Sequence, residues 1–121
     1  MQLAKAAVAA GIETLLEAAG VSPGKVDTIY IAGGFGSHLN IDSARAIGLV
    51  PWTLAGRVKV LGNAALAGAS RVLLDQESQT ELRRIAQLST HVNLGGNPQF
   101  NDRYVENMLF EANESAGNSR L

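Results

Sequence analysis

Cysteine is absent from the chain, and that absence removes more chemistry than any other feature of the composition. No disulfide framework, thiolate zinc site, cysteine-ligated iron–sulfur cluster or cysteine nucleophile can be built from these residues. Histidine is scarce as well: His38 and His91 are the only two, and neither has a partner at metal-ligand spacing. The sequence therefore predicts no metal centre of its own. No stretch reaches the roughly 18 consecutive apolar residues that a membrane span requires. Met1 is not followed by the basic flank, apolar centre and cleavage site of a secretory signal, so the expectation is a cytoplasmic protein without membrane contact. Neither sign of charge dominates, with 10 Lys and Arg against 11 Asp and Glu interspersed along the chain. That balance makes no electrostatic case for a nucleic-acid partner. A Walker A loop is missing too.

What remains, 121 residues of which 46% are apolar, suffices for one domain with a modest core. Residues 2 to 19 read as a helix with Val8, Ile12, Leu15, Leu16 and Ala19 on its apolar face and Lys5, Glu13 and Glu17 on the other sides. Gly20 occupies a left-handed cap position, with Val21 to close it and Pro23 beyond. This helix begins almost at Met1 without a capping residue, as a piece of a longer protein would. "KVDTIYIA" follows as a strand, and its consecutive Ile29, Tyr30 and Ile31 predict burial on both faces, as in the interior of an α/β sheet. Asn40 caps a short helix that Gly48 and Pro51 terminate, and "RVKV" is a second strand. A helix opens after Gly62 and Asn63, and Ser78 with Glu81 has the spacing of a capping box for another through Leu88. "HVNL" is a candidate third strand. Asn97-Pro98 opens a last helix with Phe100, Tyr104 and Met108 at i, i+4 and i+8. The domain is expected over residues 1–110, with a disordered tail at 111–121. Strands separated by helices predict an α/β layer structure with a mainly parallel sheet.

Two glycine-rich features invite a ligand. "AGGFG" ends the first strand at the C-terminal edge of the sheet, where open α/β folds bind their ligands. Glycine there either makes a sharp turn or lets a base, ribose or phosphate reach the main chain. Gly33, Gly34 and Gly36 do not follow the dinucleotide spacing. In "GNAALAGA", Ala64, Ala65, Gly68 and Ala69 give a helix a nearly bare face, suited either to tight packing or to a ligand. The helix start at Gly62-Asn63 could present N–H groups to a phosphate or ribose.

Taken together, helix, strand-AGGFG and Gly-opened small-residue helix resemble the last subdomain of the ASKHA superfamily, which includes sugar and acetate kinases, chaperone ATPases and actin. Here Asn63 is inserted into the usual Gly-Ala-Ala opening. The segments "QLAKAAVAAGIETLL", "IYIAGGFGSHLNIDSARAIGLVP", "VLGNAALAGASRVLL" and "VNLGGNPQFNDRYVENMLF" extend the likeness from Gln2 to Phe110. In this order they resemble the C-terminal domain of the reductive activators of corrinoid proteins.

The resemblance implies a partial ASKHA, ribonuclease H-like α/β fold and an adenine nucleotide as ligand. Gly33, Gly34 and Phe35 would lie beside the adenine and ribose, with Gly36 and Ser37 next to them. Lys5 and Asn63 are weaker candidates, since Lys5 reads equally as a solvated helix charge and Asn63 as an ordinary cap. The implied parent carries a 2Fe-2S ferredoxin domain. It would couple turnover of ATP with Mg to reduction of a cobalt(II) corrinoid protein to cobalt(I). The chain departs from a complete enzyme: it has neither the Asp-Gly phosphate loop that ASKHA ATPases use nor cluster cysteines. Its expected role is the adenosine side of the ATP site, acting with the remainder of the same polypeptide and without catalytic residues or Mg ligands of its own. The alternatives are an assembly module that keeps the ASKHA fold, and a fragment of an ASKHA kinase. His38 reads as a surface-loop residue and Trp52 as a half-buried packing position.

Overall fold

Helix α1, Gln2–Ala18, ends in a Schellman turn: the Val21 N–H donates to the Leu16 carbonyl and the Gly20 N–H to that of Glu17, with Gly20 at φ 65°. A computed structural model describes residues 2–34, 38–54 and 56–108. The buried face of α1 is not the predicted one. Lys5, Ala6, Ala9, Ala10, Gly11 and Thr14 are buried, whereas Val8 and Leu15 are each 46% exposed and Ala19 is exposed as well. Small side chains permit this inversion, because a helix face made of alanine and glycine lets its neighbours approach closely. The Leu94 side chain reaches within 3.6 Å of where a Cβ on Gly11 would stand.

A short 3-10 turn, Pro23–Lys25, leads into strand β1, Thr28–Ala32. Helix α2, Ile41–Ala46, starts at Asn40, whose side chain accepts from the Ser43 N–H at 2.8 Å, as predicted for that cap. It stops in a second left-handed glycine turn at Gly48. Strand β2, Arg57–Gly62, lies parallel to β1 with Thr28 opposite Arg57. At the start of this pair Gly56 is obligatory, since a Cβ there would lie 2.6 Å from the Val26 carbonyl oxygen. Arg45 of α2 donates to the Gly56 carbonyl at 2.8 Å and so ties the crossover helix to the strand it precedes.

Helix α3, Ala64–Leu74, and helix α4, Gln76–Leu88, form a hairpin around Asp75. The start of α4 lies upstream of the predicted capping box. Asp75 is the cap: its carboxylate accepts from the Glu77 N–H at 3.1 Å and from the Ser78 hydroxyl at 2.5 Å, which leaves Ser78 inside the first turn. Helix α5, Pro98–Glu106, is capped by Asn97 as predicted, and Phe100 stacks on Tyr104 with ring centroids 6.0 Å apart. Met108 lies past the end of that helix.

Two further expectations are corrected. "HVNL" forms no strand, because its Asn93 side chain accepts from the Gly95 N–H and the Leu94 carbonyl accepts from the Asn97 N–H. Local turn bonds there replace a ladder. Nor is β1 buried on both faces: Tyr30 is 58% exposed, and β2 is its only strand neighbour among the described residues. Among the described residues the buried apolar side chains are few and mostly small, namely Ala6, Ala9, Ala10, Ala44, Val50 and Leu54. The architecture is α/β, two parallel strands with flanking helices, in agreement with a partial ASKHA subdomain. The expected tail at 111–121 lies outside the described residues. No described helix is long and apolar enough to cross a membrane.

Candidate functional site

The two glycine-rich features meet in space. Along the sheet, Ile31 stands opposite Val60 but Ala32 stands opposite Gly62, so Leu61 is bulged out of the ladder. The bulge brings Gly62 level with the end of β1, where the Gly33 N–H donates to the Gly62 carbonyl at 2.7 Å. Gly33 has φ 109° and Gly62 φ 66°, a left-handed region that side chains with a Cβ rarely enter. Asn63 follows at once as the cap of α3, accepting from the Leu66 N–H at 3.1 Å. The strand-end glycines and the N-terminus of an 11-residue helix therefore share one corner of the C-terminal sheet edge.

Gly34 differs from its neighbour. Its φ is not positive, and a Cβ there would meet nothing within 4 Å. Gly68 on α3 is also open to that distance, and no residue of α3 is buried, so its small face is not packed against another described element. The tight-packing reading of that face does not hold among the described residues. Among the described residues, a Cβ at Gly34 or at Gly68 would meet no neighbour within 4 Å. Phe35, Gly36 and Ser37 lie outside the described residues.

Lys5 is placed elsewhere. It is 5% exposed rather than solvated. Its Nζ donates to the Asn107 carbonyl at 2.8 Å, and its Cε lies 3.1 Å from where a Cβ on Gly48 would stand. These contacts bind Lys5 to α5 and to the turn after α2, not to Gly33 or Gly62. It lines a cleft of about 210 Å³ together with Glu13, Trp52, Glu106 and Asn107. Trp52 is 60% exposed there, not half-buried in packing as expected. His38 is exposed.

Sequence reasoning missed the polar set that holds α5 on α1. Arg103 donates to the Thr14 hydroxyl at 3.1 Å, pairs with Glu17, and lies 3.9 Å from Glu13. Thr14 in turn donates to the Ala10 carbonyl at 2.8 Å, so its buried oxygen is satisfied on both sides. The available signal was Arg103 and Asn107 one helical turn apart, facing a helix that carries Glu13 and Glu17.

The ionisations that the fold clearly perturbs lie away from the glycines. The Ser78 hydroxyl and the Glu77 N–H hold the Asp75 carboxyl below its ordinary value. Arg84 lowers the carboxyl of Glu81, and Glu81 raises the Arg84 guanidinium in return. Among the described residues no three His, Cys, Asp or Glu side chains gather into a metal site, and no cysteine exists to bind a cluster. A 2Fe-2S centre with cysteine ligands therefore cannot be built from this chain. What the corner can do is bind a flat or hydroxylated group against bare main chain.

Comparison with known proteins gives the chain its place. The corrinoid activation enzyme RamQ of Eubacterium limosum is 35% identical over 113 residues, covering 93% of this chain and 19% of that protein. A solved structure titled reductive activator for corrinoid, iron-sulfur protein superposes with a TM-score of 0.76 and 36% identity, covering 86% of this chain and 17% of that one. The chain thus spans less than a fifth of either relative. A family model described as the C-terminal domain of RACo, the ASKHA domain, matches residues 1–119, and the chain belongs to that family.

Proposed function

We propose that this chain is the adenosine-side part of the ATP site in an iron–sulfur reductive activator. The parent protein couples ATP hydrolysis to reduction of a cobalt(II) corrinoid protein to cobalt(I), the state that accepts a methyl group. The observation that carries the reading is the Gly33–Gly62 hydrogen bond, which joins both glycine-rich segments into one bare corner beside the N-terminus of α3. A parallel-sheet edge of this kind is the ordinary position for a nucleotide in an α/β protein. The names and extents of the relatives supply the larger machine: both are described as corrinoid activators, and both are several times longer than this chain.

The division of labour follows from what the chain lacks. On this reading Gly33 and Gly34 face the adenosine with Asn63 beside them at the helix start, and Phe35, Gly36 and Ser37 are assigned to the same contact by the resemblance alone. Lys5 contributes from its cleft only if the rest of the protein brings that cleft to the nucleotide. Phosphate and Mg²⁺ are held by earlier parts of the polypeptide, and the electron path lies outside these residues.

The test is a corrinoid-reduction assay on the full-length protein, with an external reductant and appearance of cobalt(I) followed by its visible absorption. Reduction should require ATP and fall at least about tenfold in Gly34→Val, a loss of about 1.4 kcal/mol in transition-state stabilisation. Reduction that proceeds equally without ATP would overturn the proposal.

A further inference from the structure

The turn after α2 holds Trp52 out into solvent. Val50, Pro51 and Leu54 are buried, and the Leu54 N–H donates to the Pro51 carbonyl at 3.0 Å. Both ends of the turn are therefore anchored, while Trp52 between them stays 60% exposed. A tryptophan displayed on a fixed turn gives up little freedom on binding, and tryptophan is among the residues that anchor interfaces. It lines the cleft of about 210 Å³ that Lys5, Glu13, Glu106 and Asn107 also line. That volume is below the roughly 300–1,000 Å³ of sites that enclose a drug-sized ligand, and it suits a single side chain.

The cleft is rich in acceptors. Glu13 is already shared, since Arg103 Nε lies 3.9 Å from it and the Asn107 side-chain amide donates to it at 3.5 Å. Glu106 is exposed, and no described residue pairs with its carboxylate. At the end of α2 the N–H groups of Ile47, Gly48 and Leu49 bond back to Ser43, Ala44 and Arg45. The carbonyls of Ala46 and Ile47, which both line the cleft, keep no backbone partner among the described residues. Lys5 is the one cation of the lining. Its Nζ donates to the Asn107 carbonyl at 2.8 Å, at the C-terminal end of α5 where positive charge is favoured. The fold thus seats one cation here already, and two carboxylates against one ammonium leave the lining net negative.

We propose that this cleft receives an arginine side chain presented by another protein, its guanidinium lying on the Trp52 ring and forking to Glu106. Charge complementarity selects the occupant. A guanidinium is planar, weakly hydrated and carries five donors, so it can stack on an indole, pair with a carboxylate and serve free carbonyls together. A lysine ammonium is a compact point charge and gives up the flat stack. An anion would have to enter beside Glu13 and Glu106. One such anchor binds weakly alone, and the partner's surrounding contacts supply the remainder. The contacts of Lys5 tie the cleft to α5 and to the turn after α2, away from the glycine corner. The proposal does not rest on nucleotide binding, so failure of a nucleotide titration leaves it standing.

Fluorine NMR of the full-length protein labelled with fluorotryptophan tests it, the Trp52 signal being identified by its loss in Trp52→Phe. The probe is acetyl-arginine amide, which carries a guanidinium and no other charge. It should shift the Trp52 signal with a Kd of about 10 mM or tighter. The citrulline analogue, with a neutral urea in place of the guanidinium, should bind at least about tenfold more weakly. Glu106→Gln removes a charge that no described residue uses, so its melting temperature should be unchanged while the probe binds at least about threefold more weakly. An unmoved Trp52 signal overturns the proposal, whether the cleft rejects the probe or the rest of the polypeptide already covers it. Equal binding by the citrulline form, or by the Glu106→Gln variant, overturns it as well. A stronger response to acetyl-glutamate amide would mean that Lys5 makes this an anion site. Tighter binding of free arginine than of the blocked form would mark a small-molecule site, and either result contradicts an arginine presented by a protein.

Discussion

Gly33 and Gly34 are adjacent and are glycine for different reasons. Gly33 has a backbone that strains any other residue, at φ 109°, whereas Gly34 has neither a left-handed φ nor, among the described residues, a neighbour within 4 Å of a would-be Cβ. Gly33→Ala should destabilise the chain by about 1–3 kcal/mol, and Gly34→Ala should change it by no more than about 0.5 kcal/mol. Urea denaturation of the two variants beside the parent sequence checks the contrast. Gly56→Ala belongs with the first group, because its Cβ would collide with the Val26 carbonyl oxygen at 2.6 Å. Asp75 offers a second residue-level test. Its carboxyl is depressed below 3.8, first by the Ser78 hydroxyl and then by the Glu77 N–H. A depressed carboxyl stabilises the fold at any pH above its unfolded value, and that contribution is lost as pH falls through the folded value, below 3.8. Ser78→Ala should move the Asp75 carboxyl titration upward, as followed by carboxyl-carbon chemical shifts, and narrow the acid range over which the α3–α4 hairpin survives. An unmoved Asp75 would deny Ser78 its leading part.

At the scale of elements, α5 has no buried residue of its own, and Arg103 ties it to α1 through Thr14 and Glu17. Arg103→Met should loosen it by about 1–2 kcal/mol, since charge-assisted bonds contribute more than neutral ones while partial exposure weakens them. The loss should be smaller in high salt. Thermal melts of both forms at low and high ionic strength measure it, and a salt-independent difference would assign the role to packing instead. For α3, Asn63→Ala should cost about 1 kcal/mol through the lost bond to the Leu66 N–H at 3.1 Å, and Asn63→Asp should retain most of it. Element identity was legible wherever local chemistry is decisive. The Gly20 and Gly48 turns and the Asn40, Asn63 and Asn97 caps all stand where the sequence places them. What it hid was which face is used. Hydrophobic periodicity put Val8 and Leu15 inside α1, but the neighbours pack on Ala6, Ala9 and Ala10 around a buried Lys5. Small side chains carry a weak hydrophobic signal yet allow the closest approach. The "HVNL" strand failed because the pattern is silent about an Asn93 side chain that bonds the next turn.

At the scale of the whole molecule, the distribution of apolar surface among the described residues is informative. Large apolar side chains stay in solvent across several elements, among them Leu73 at 82%, Leu74 at 88% and Leu88 at 70% exposed. Scattered exposed hydrophobes are ordinary, but a run of them on paired helices marks surface meant to be covered. A chain that spans less than a fifth of its relatives is expected to show such surface. The candidate site was legible in outline. The glycines around Gly33 and Gly62 announce bare backbone in the sequence, and the parallel pairing of β1 with β2 brings them together. Their joining through a bulge at Leu61 depends on the register between strands, which no local pattern encodes. The most direct test of the adenosine-side role is calorimetric titration of ATP into the full-length protein and into its Gly34→Val variant. The account predicts binding by the parent sequence and at least about tenfold weaker binding by the variant, a difference of about 1.4 kcal/mol, with an unchanged melting temperature. Equal affinity in the two proteins, or no binding to the parent sequence at millimolar ATP, would contradict it.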